Sequence, residues 1–72
     1  SYLVDPKISI REINSELKIK LPFENAKTLN GLILEQLQSF PQHNVSLKID
    51  PLIIETIQVS KQGVKLVKIT KL

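Results

Sequence analysis

Val45-Ser46-Leu47-Lys48-Ile49-Asp50-Pro51-Leu52-Ile53-Ile54-Glu55-Thr56-Ile57-Gln58-Val59 is the stretch that decides the fold, because the hydrophobic period of the chain changes there. Upstream, apolar residues recur about every 3.6 positions, as on one face of a helix. From Val45 they alternate: Val45, Leu47 and Ile49 are separated by Ser46 and Lys48 and followed by Asp50, the pattern of a half-buried strand. Asp50-Pro51 interrupts the run as a turn, and Leu52 to Val59 predicts a second, more apolar strand. Ser60 to Gly63 predicts a hairpin loop in which Gly63 is free to take a positive φ. Val64 to Thr70 predicts the third strand. Within it Val64 and Leu66 share one parity, whereas Val67 and Ile69 share the other. A β-bulge or burial on both faces accounts for such a slip. The slip between Leu66 and Val67 further predicts that some apolar side chains of this strand face outward and are available to a partner.

Working back from this sheet, two helices precede it. Thr28 is a suitable N-cap, and Leu29, Leu32, Ile33, Leu37 and Phe40 fall on one helical face, with Asn30, Glu35 and Gln38 turned away and Pro41 closing the helix. Gly31 in the first turn costs up to about 1 kcal/mol relative to alanine, which predicts a close backbone approach at that point. Earlier, Ser9 and Glu12 have the spacing of a capping box, Ile8 and Ile13 that of a hydrophobic staple, and Ile10, Ile13 and Leu17 form a narrow apolar stripe. Between the helices a weak alternation (Ile19, Leu21) ends at Pro22, and Phe23 is expected to anchor this loop into the core. Tyr2-Leu3-Val4, stopped by Asp5-Pro6, reads as a short opening strand. The order is β-α-α-β-β-β, and helices segregated from a small antiparallel sheet make an α+β domain with two helices packed on it.

The 72 residues allow one domain, spanning 1–72. A chain of this size buries only about 60% of the surface its unfolded form exposes, so its stability is marginal. It has no cysteine with which to staple the fold. Hydrophobic residues form 42% of the chain, enough for a core built from Ile, Leu and Val, since Tyr2, Phe23 and Phe40 are the only aromatics. No methionine is present, so Ser1 is expected to be a processed or excised end of a larger protein. No apolar run approaches the roughly 20 residues of a membrane span, so the piece is expected to be soluble. The net charge of +3 lies entirely in the last third: residues 1–44 balance, while Lys48, Lys61, Lys65, Lys68 and Lys71 outnumber Asp50 and Glu55.

No residues are spaced for catalysis. His43, the only histidine, sits in the polar loop Pro41-Gln42-His43-Asn44 without an orienting group or further metal ligands at suitable spacing. Glu12 and Glu16 share a helical face, but capping and solvation account for them more simply than a paired acid and base do. Two glycines cannot write a phosphate-cradling loop. The chain is therefore expected to be non-enzymatic, with no metal and no cofactor. Lys65, Lys68 and Lys71, with Leu66, form a candidate interaction surface for an anionic membrane or an acidic neighbouring domain; the alternative is that these lysines only solubilise the open sheet and discourage edge pairing. With one arginine and no aromatics among the strand lysines, nucleic acid is not an expected partner.

Tyr2-Leu3-Val4-Asp5, Ile8-Ser9-Ile10-Arg11-Glu12-Ile13-Asn14, Leu21-Pro22, Thr28-Leu29-Asn30-Gly31-Leu32-Ile33-Leu34, Phe40-Pro41 and Val67-Lys68-Ile69-Thr70 together resemble, in order and spacing, the CorC/HlyC transporter-associated domain. The resemblance spans essentially the whole chain. It departs at Pro51, where the family usually has glycine, so the turn there must differ from the primed hairpin types. Pro6 and the pair His43-Asn44 also replace residues usual in the family. The resemblance implies a fold similar to part of a flavin-binding class, and a place at the C-terminal end of bacterial membrane proteins linked to magnesium and cobalt efflux or to haemolysin-like activity. It also implies a position on the cytoplasmic side of the inner membrane, after paired CBS domains, and a role in modulating ion transport through contacts with neighbouring CBS and membrane domains or with a second copy in a homodimer. A nucleotide- or flavin-sensing module, with its ligand between the second helix and the sheet, is the rival reading.

Overall fold

Ser9 and Thr28, the two N-cap residues, lie side by side in an isolated antiparallel bridge. The Ile10 N–H donates to the Lys27 carbonyl and the Leu29 N–H to the Ile8 carbonyl, both at 3.0 Å, so the two helices start from one laced point. In this computed structural model, which describes residues 1–72, the elements are β1 (Tyr2–Val4), α1 (Ile10–Leu17), α2 (Leu29–Leu37), β2 (Ser46–Ile49), β3 (Leu52–Ser60) and β4 (Gly63–Lys71). This is the α+β order expected from the sequence.

Each helix is short and capped. Ser9 Oγ accepts the Glu12 N–H at 3.0 Å, but Glu12 returns no bond to Ser9, so only half of the capping box forms. Thr28 Oγ1 accepts the Gly31 N–H at 3.1 Å. Both helices end in a left-handed residue, Lys18 (φ 55°) and Gln38 (φ 61°), whose N–H closes on Asn14 and Leu34 respectively. α2 therefore stops at Leu37 and excludes Phe40, which is 57% exposed. Pro41 disfavours the helical region for the residue before it, which removes Phe40 from the face on which its spacing alone would put it. At Gly31 an added Cβ would meet Ala26 Cβ and Thr28 Oγ1 at 3.4 Å, ordinary contact rather than the close backbone approach expected.

β1 joins the free edge of β4, which gives one antiparallel sheet in the order β1-β4-β3-β2. Two residues, Asp50 and Pro51, turn the chain from β2 to β3 across a cis peptide. Lys61 and Gln62 turn it from β3 to β4, with Gly63 at φ 118° as anticipated. The parity slip in β4 is a bulge, and it is matched by one in β3. Thr56 pairs with Val67, Gln58 with Leu66 and Val59 with Val64, leaving Ile57 and Lys65 as the extra residues.

The core is a single apolar layer. Ile10, Ile13, Leu29, Leu32 and Ile33 from the helices meet Leu52, Ile54, Val64, Val67 and Ile69 from the sheet, with Leu21 beneath the connecting loop. Leu21, not Phe23, is the loop's anchor. Its N–H donates to Asn14 Oδ1 at 2.8 Å and its carbonyl accepts from Asn14 Nδ2 at 3.0 Å. Phe23 stays 41% exposed, with the Lys27 ammonium 5.8 Å from its ring centre. Thr56 is the only buried polar side chain; its Oγ1 accepts the Val45 N–H at 2.8 Å, which satisfies it.

Asn14→Ala removes both bonds to Leu21 and leaves its backbone groups unpaired in a half-buried site. It is expected to lower the unfolding free energy by about 2 kcal/mol, read as a lower urea midpoint with an unchanged slope.

Candidate interaction surface

In a paired sheet, residues opposite one another point to the same side, so the register sorts every strand residue. Tyr2, Val4, Leu47, Ile49, Leu52, Ile54, Thr56, Val59, Val64, Val67 and Ile69 lie on the side of the helices. The other side carries a row of Leu3, Lys68, Glu55 and Ser46, a row of Thr70, Ile53 and Lys48, and the pair Leu66 and Gln58. The bulges add Ile57 and Lys65 to it, because inward-facing Thr56 and Val59 are separated by two outward residues, as are Val64 and Val67.

No element covers this outer side. Leu3 is 65% and Ile57 40% exposed, while Ile53 and Leu66 are half-buried and stand outside the core cluster. Lys48, Lys65 and Lys68 against Glu55 leave the face with two positive charges of the chain's three.

Of the residues singled out from the sequence, Lys65, Leu66 and Lys68 occupy this face together. Lys71 stands apart. It is in register with inward-facing Leu52, and its Nζ donates to the Leu17 carbonyl at the end of α1, 3.0 Å away. The slip between Leu66 and Val67 also has a different consequence from the one expected. The bulge turns Val64, Val67 and Ile69 all into the core, so of β4 only Leu66 contributes apolar surface outside. The outward apolar character comes instead from Leu3, Ile53 and Ile57. A signal for two of these was present: Ile53 beside Ile54, and Ile57 at the parity of Glu55, place apolar residues on the side that alternation assigns to water.

Two clefts complete the surface. One of about 740 Å³ opens between the Phe40-Pro41-Gln42 segment and the β3–β4 hairpin, where Lys61 is its one ionisable group. The other, of about 210 Å³, is an apolar notch between β1 and α1 lined by Tyr2, Val4, Ile8, Ile13, Leu17 and Ile69, with Glu16 at its rim. The first holds no pair of ionisable groups, and the second has only the Tyr2 phenol and the Glu16 carboxylate among its lining residues. His43, Glu12 and Glu16 are exposed, no cluster of three metal-ligating side chains exists, and every buried side-chain polar atom has a partner. No helix is long and apolar enough to cross a membrane.

A two-layer α+β domain with this topology has counterparts among known proteins. The CorC_HlyC family, described as a transporter associated domain, matches residues 1–72. The chain belongs to this family. A UPF0053 protein of Haemophilus influenzae is 35% identical over 72 residues, all of this chain and 17% of that protein. The UPF0053 inner membrane protein YfjD of Escherichia coli is 33% identical over 69 residues, 96% of this chain and 16% of that protein. This CorC_HlyC domain thus spans about a sixth of the length of the curated relatives it matches.

Among solved structures, a conserved H. influenzae protein of unknown function superimposes with a TM-score of 0.85 at 34% identity, covering 97% of this chain and 86% of that one. The transporter associated domain of a CBS domain protein from Porphyromonas gingivalis gives 0.77 at 26% identity, over 96% and 85%. Nearly all of each solved chain is this one domain, so the fold stands without its neighbours. The CorC_HlyC family is described by association with transport, not by a reaction.

The two sides of the sheet should respond differently to substitution. Ile54→Ala, in a fully buried position, is expected to cost about 2–5 kcal/mol. Leu3→Gln and Ile57→Gln should each change stability by no more than about 0.5 kcal/mol. Thermal unfolding of the three variants in parallel checks the assignment of faces.

Proposed function

We propose that the chain is a non-catalytic accessory domain of a bacterial inner-membrane protein linked to magnesium and cobalt efflux or to haemolysin-like activity. On this reading it adjusts its parent from the cytoplasmic side, through contacts with neighbouring CBS and membrane domains or with a second copy. The observation that carries the reading is the alignment of the whole chain with about a sixth of longer relatives, one of them named as an inner membrane protein. The domain's own make-up agrees with it, since its polar groups are spent on caps and turns and its uncommitted side chains lie on a surface. Covalent attachment matters energetically: a tethered domain meets its neighbour at an effective concentration of about millimolar, so a small surface suffices.

Sensing of a nucleotide or flavin is the second reading. It is favoured by the cleft of about 740 Å³, where the exposed Phe40 ring and Lys61 offer a stacking plane and one cation. The cleft is not between α2 and the core of the sheet, where the sequence suggested a ligand, but beyond the helix end.

Removing residues 1–72 from the parent protein tests the leading reading. Magnesium and cobalt export from cells carrying the truncated parent should change while its level in the membrane does not; unchanged export at an unchanged level refutes the reading. Calorimetry of the domain with ATP, AMP and FAD is expected to show no binding heat, and heat with any of them favours the sensor.

A further inference from the structure

We infer that the open side of the sheet seats on an anionic lipid bilayer, with Lys48, Lys65 and Lys68 meeting lipid phosphates and Leu3 and Ile57 entering the headgroup layer. This rests on the reading of the chain as part of a membrane protein, which holds it near such a surface.

Three properties of the face lead there. The first is charge: two of the chain's three excess positive charges lie on this side, and the remaining one is the balance of Lys61 and Lys71 against Asp50. A second copy of the chain would bring like charges together, whereas an anionic surface is complementary. The second is shape. Neither of the two clefts is lined by a residue of this face; the anchors of a protein interface fill such pockets, whereas a bilayer needs none. The third is the kind of cation. All three are lysines on flexible stems, and the one side-chain bond among them, Lys65 Nζ to Gln62 Oε1 at 3.4 Å, is exposed. Point charges of this type suit mobile phosphates, and nothing on the face is pre-arranged for a fixed bidentate acceptor. Leu3 and Ile57, at 65% and 40% exposure, add apolar side chains that enter a headgroup layer readily.

The 72-residue domain is tested by co-sedimentation with vesicles of equimolar phosphatidylglycerol and phosphatidylcholine, and with phosphatidylcholine alone. Binding is expected only to the first and should weaken as salt is raised. Each lysine near an anionic surface raises affinity about fivefold, so Lys48→Gln, Lys65→Gln and Lys68→Gln combined should weaken it roughly a hundredfold. Lys7→Gln, Lys18→Gln and Lys20→Gln make the same charge change in the helix layer and should weaken it no more than about fivefold. Urea unfolding confirms that both triple variants are folded.

Equal losses in the two variants, or no binding by the unaltered domain, overturn the inference. So does retention on the soluble remainder of the parent in place of the vesicles, which would give the face to a protein. A domain that ignores the vesicles while its removal still alters export overturns the bilayer assignment alone. Removal without effect overturns only the accessory reading, whatever the vesicles show.

Discussion

One apolar layer holds this domain together, and its size limits everything else. Ile10, Ile13, Leu29, Leu32 and Ile33 cover Leu52, Ile54, Val67 and Ile69, and no disulfide supplements them. A chain of 72 residues cannot close a second layer of that kind. Because the two helices begin at the Ser9–Thr28 bridge, both are committed to the same side of the sheet. The opposite side is left bare by arithmetic as much as by design, and it is there that side chains are free of structural duty.

The elements were legible in the sequence because each was marked locally. Ser9 and Thr28 cap, Gly63 turns, and the change of period at Val45 separates helices from strands, whereas Pro41, expected to close α2, lies beyond an end already made at Gln38. Structure and pattern part where a residue's fate depends on a backbone conformation or a hydrogen bond that apolar spacing does not show. Phe40 has the spacing of a buried helical residue, but the left-handed Gln38 ends the helix first. Phe23 is the larger apolar candidate in its loop, yet Leu21 is the one that Asn14 clamps. For the surface, Lys65, Leu66 and Lys68 could be read from β4 alone. Leu3 joins them only because β1 pairs with β4, a contact between the two ends of the chain that no local pattern announces.

Several of the residues that carry the family resemblance are structural. Asn14 ties α1 to the following loop, Thr28 caps α2, and Val67 and Ile69 fill the core. Solved relatives of 26–34% identity share the fold, and a shared fold does not by itself fix the chemistry of its surface.

The paired bulges in β3 and β4 show how such variation could arise. Ile57 and Lys65 belong to no rung of the ladder, and Thr56–Val67, Gln58–Leu66 and Val59–Val64 would pair equally well without them. Loss of both together would leave a plain hairpin with its inward side chains still on the core side, whereas loss of one alone would leave the other bulge unmatched. A change of length at this point therefore keeps the core register when it is made in both strands at once, and such paired changes are a route by which the outer surface can be remodelled.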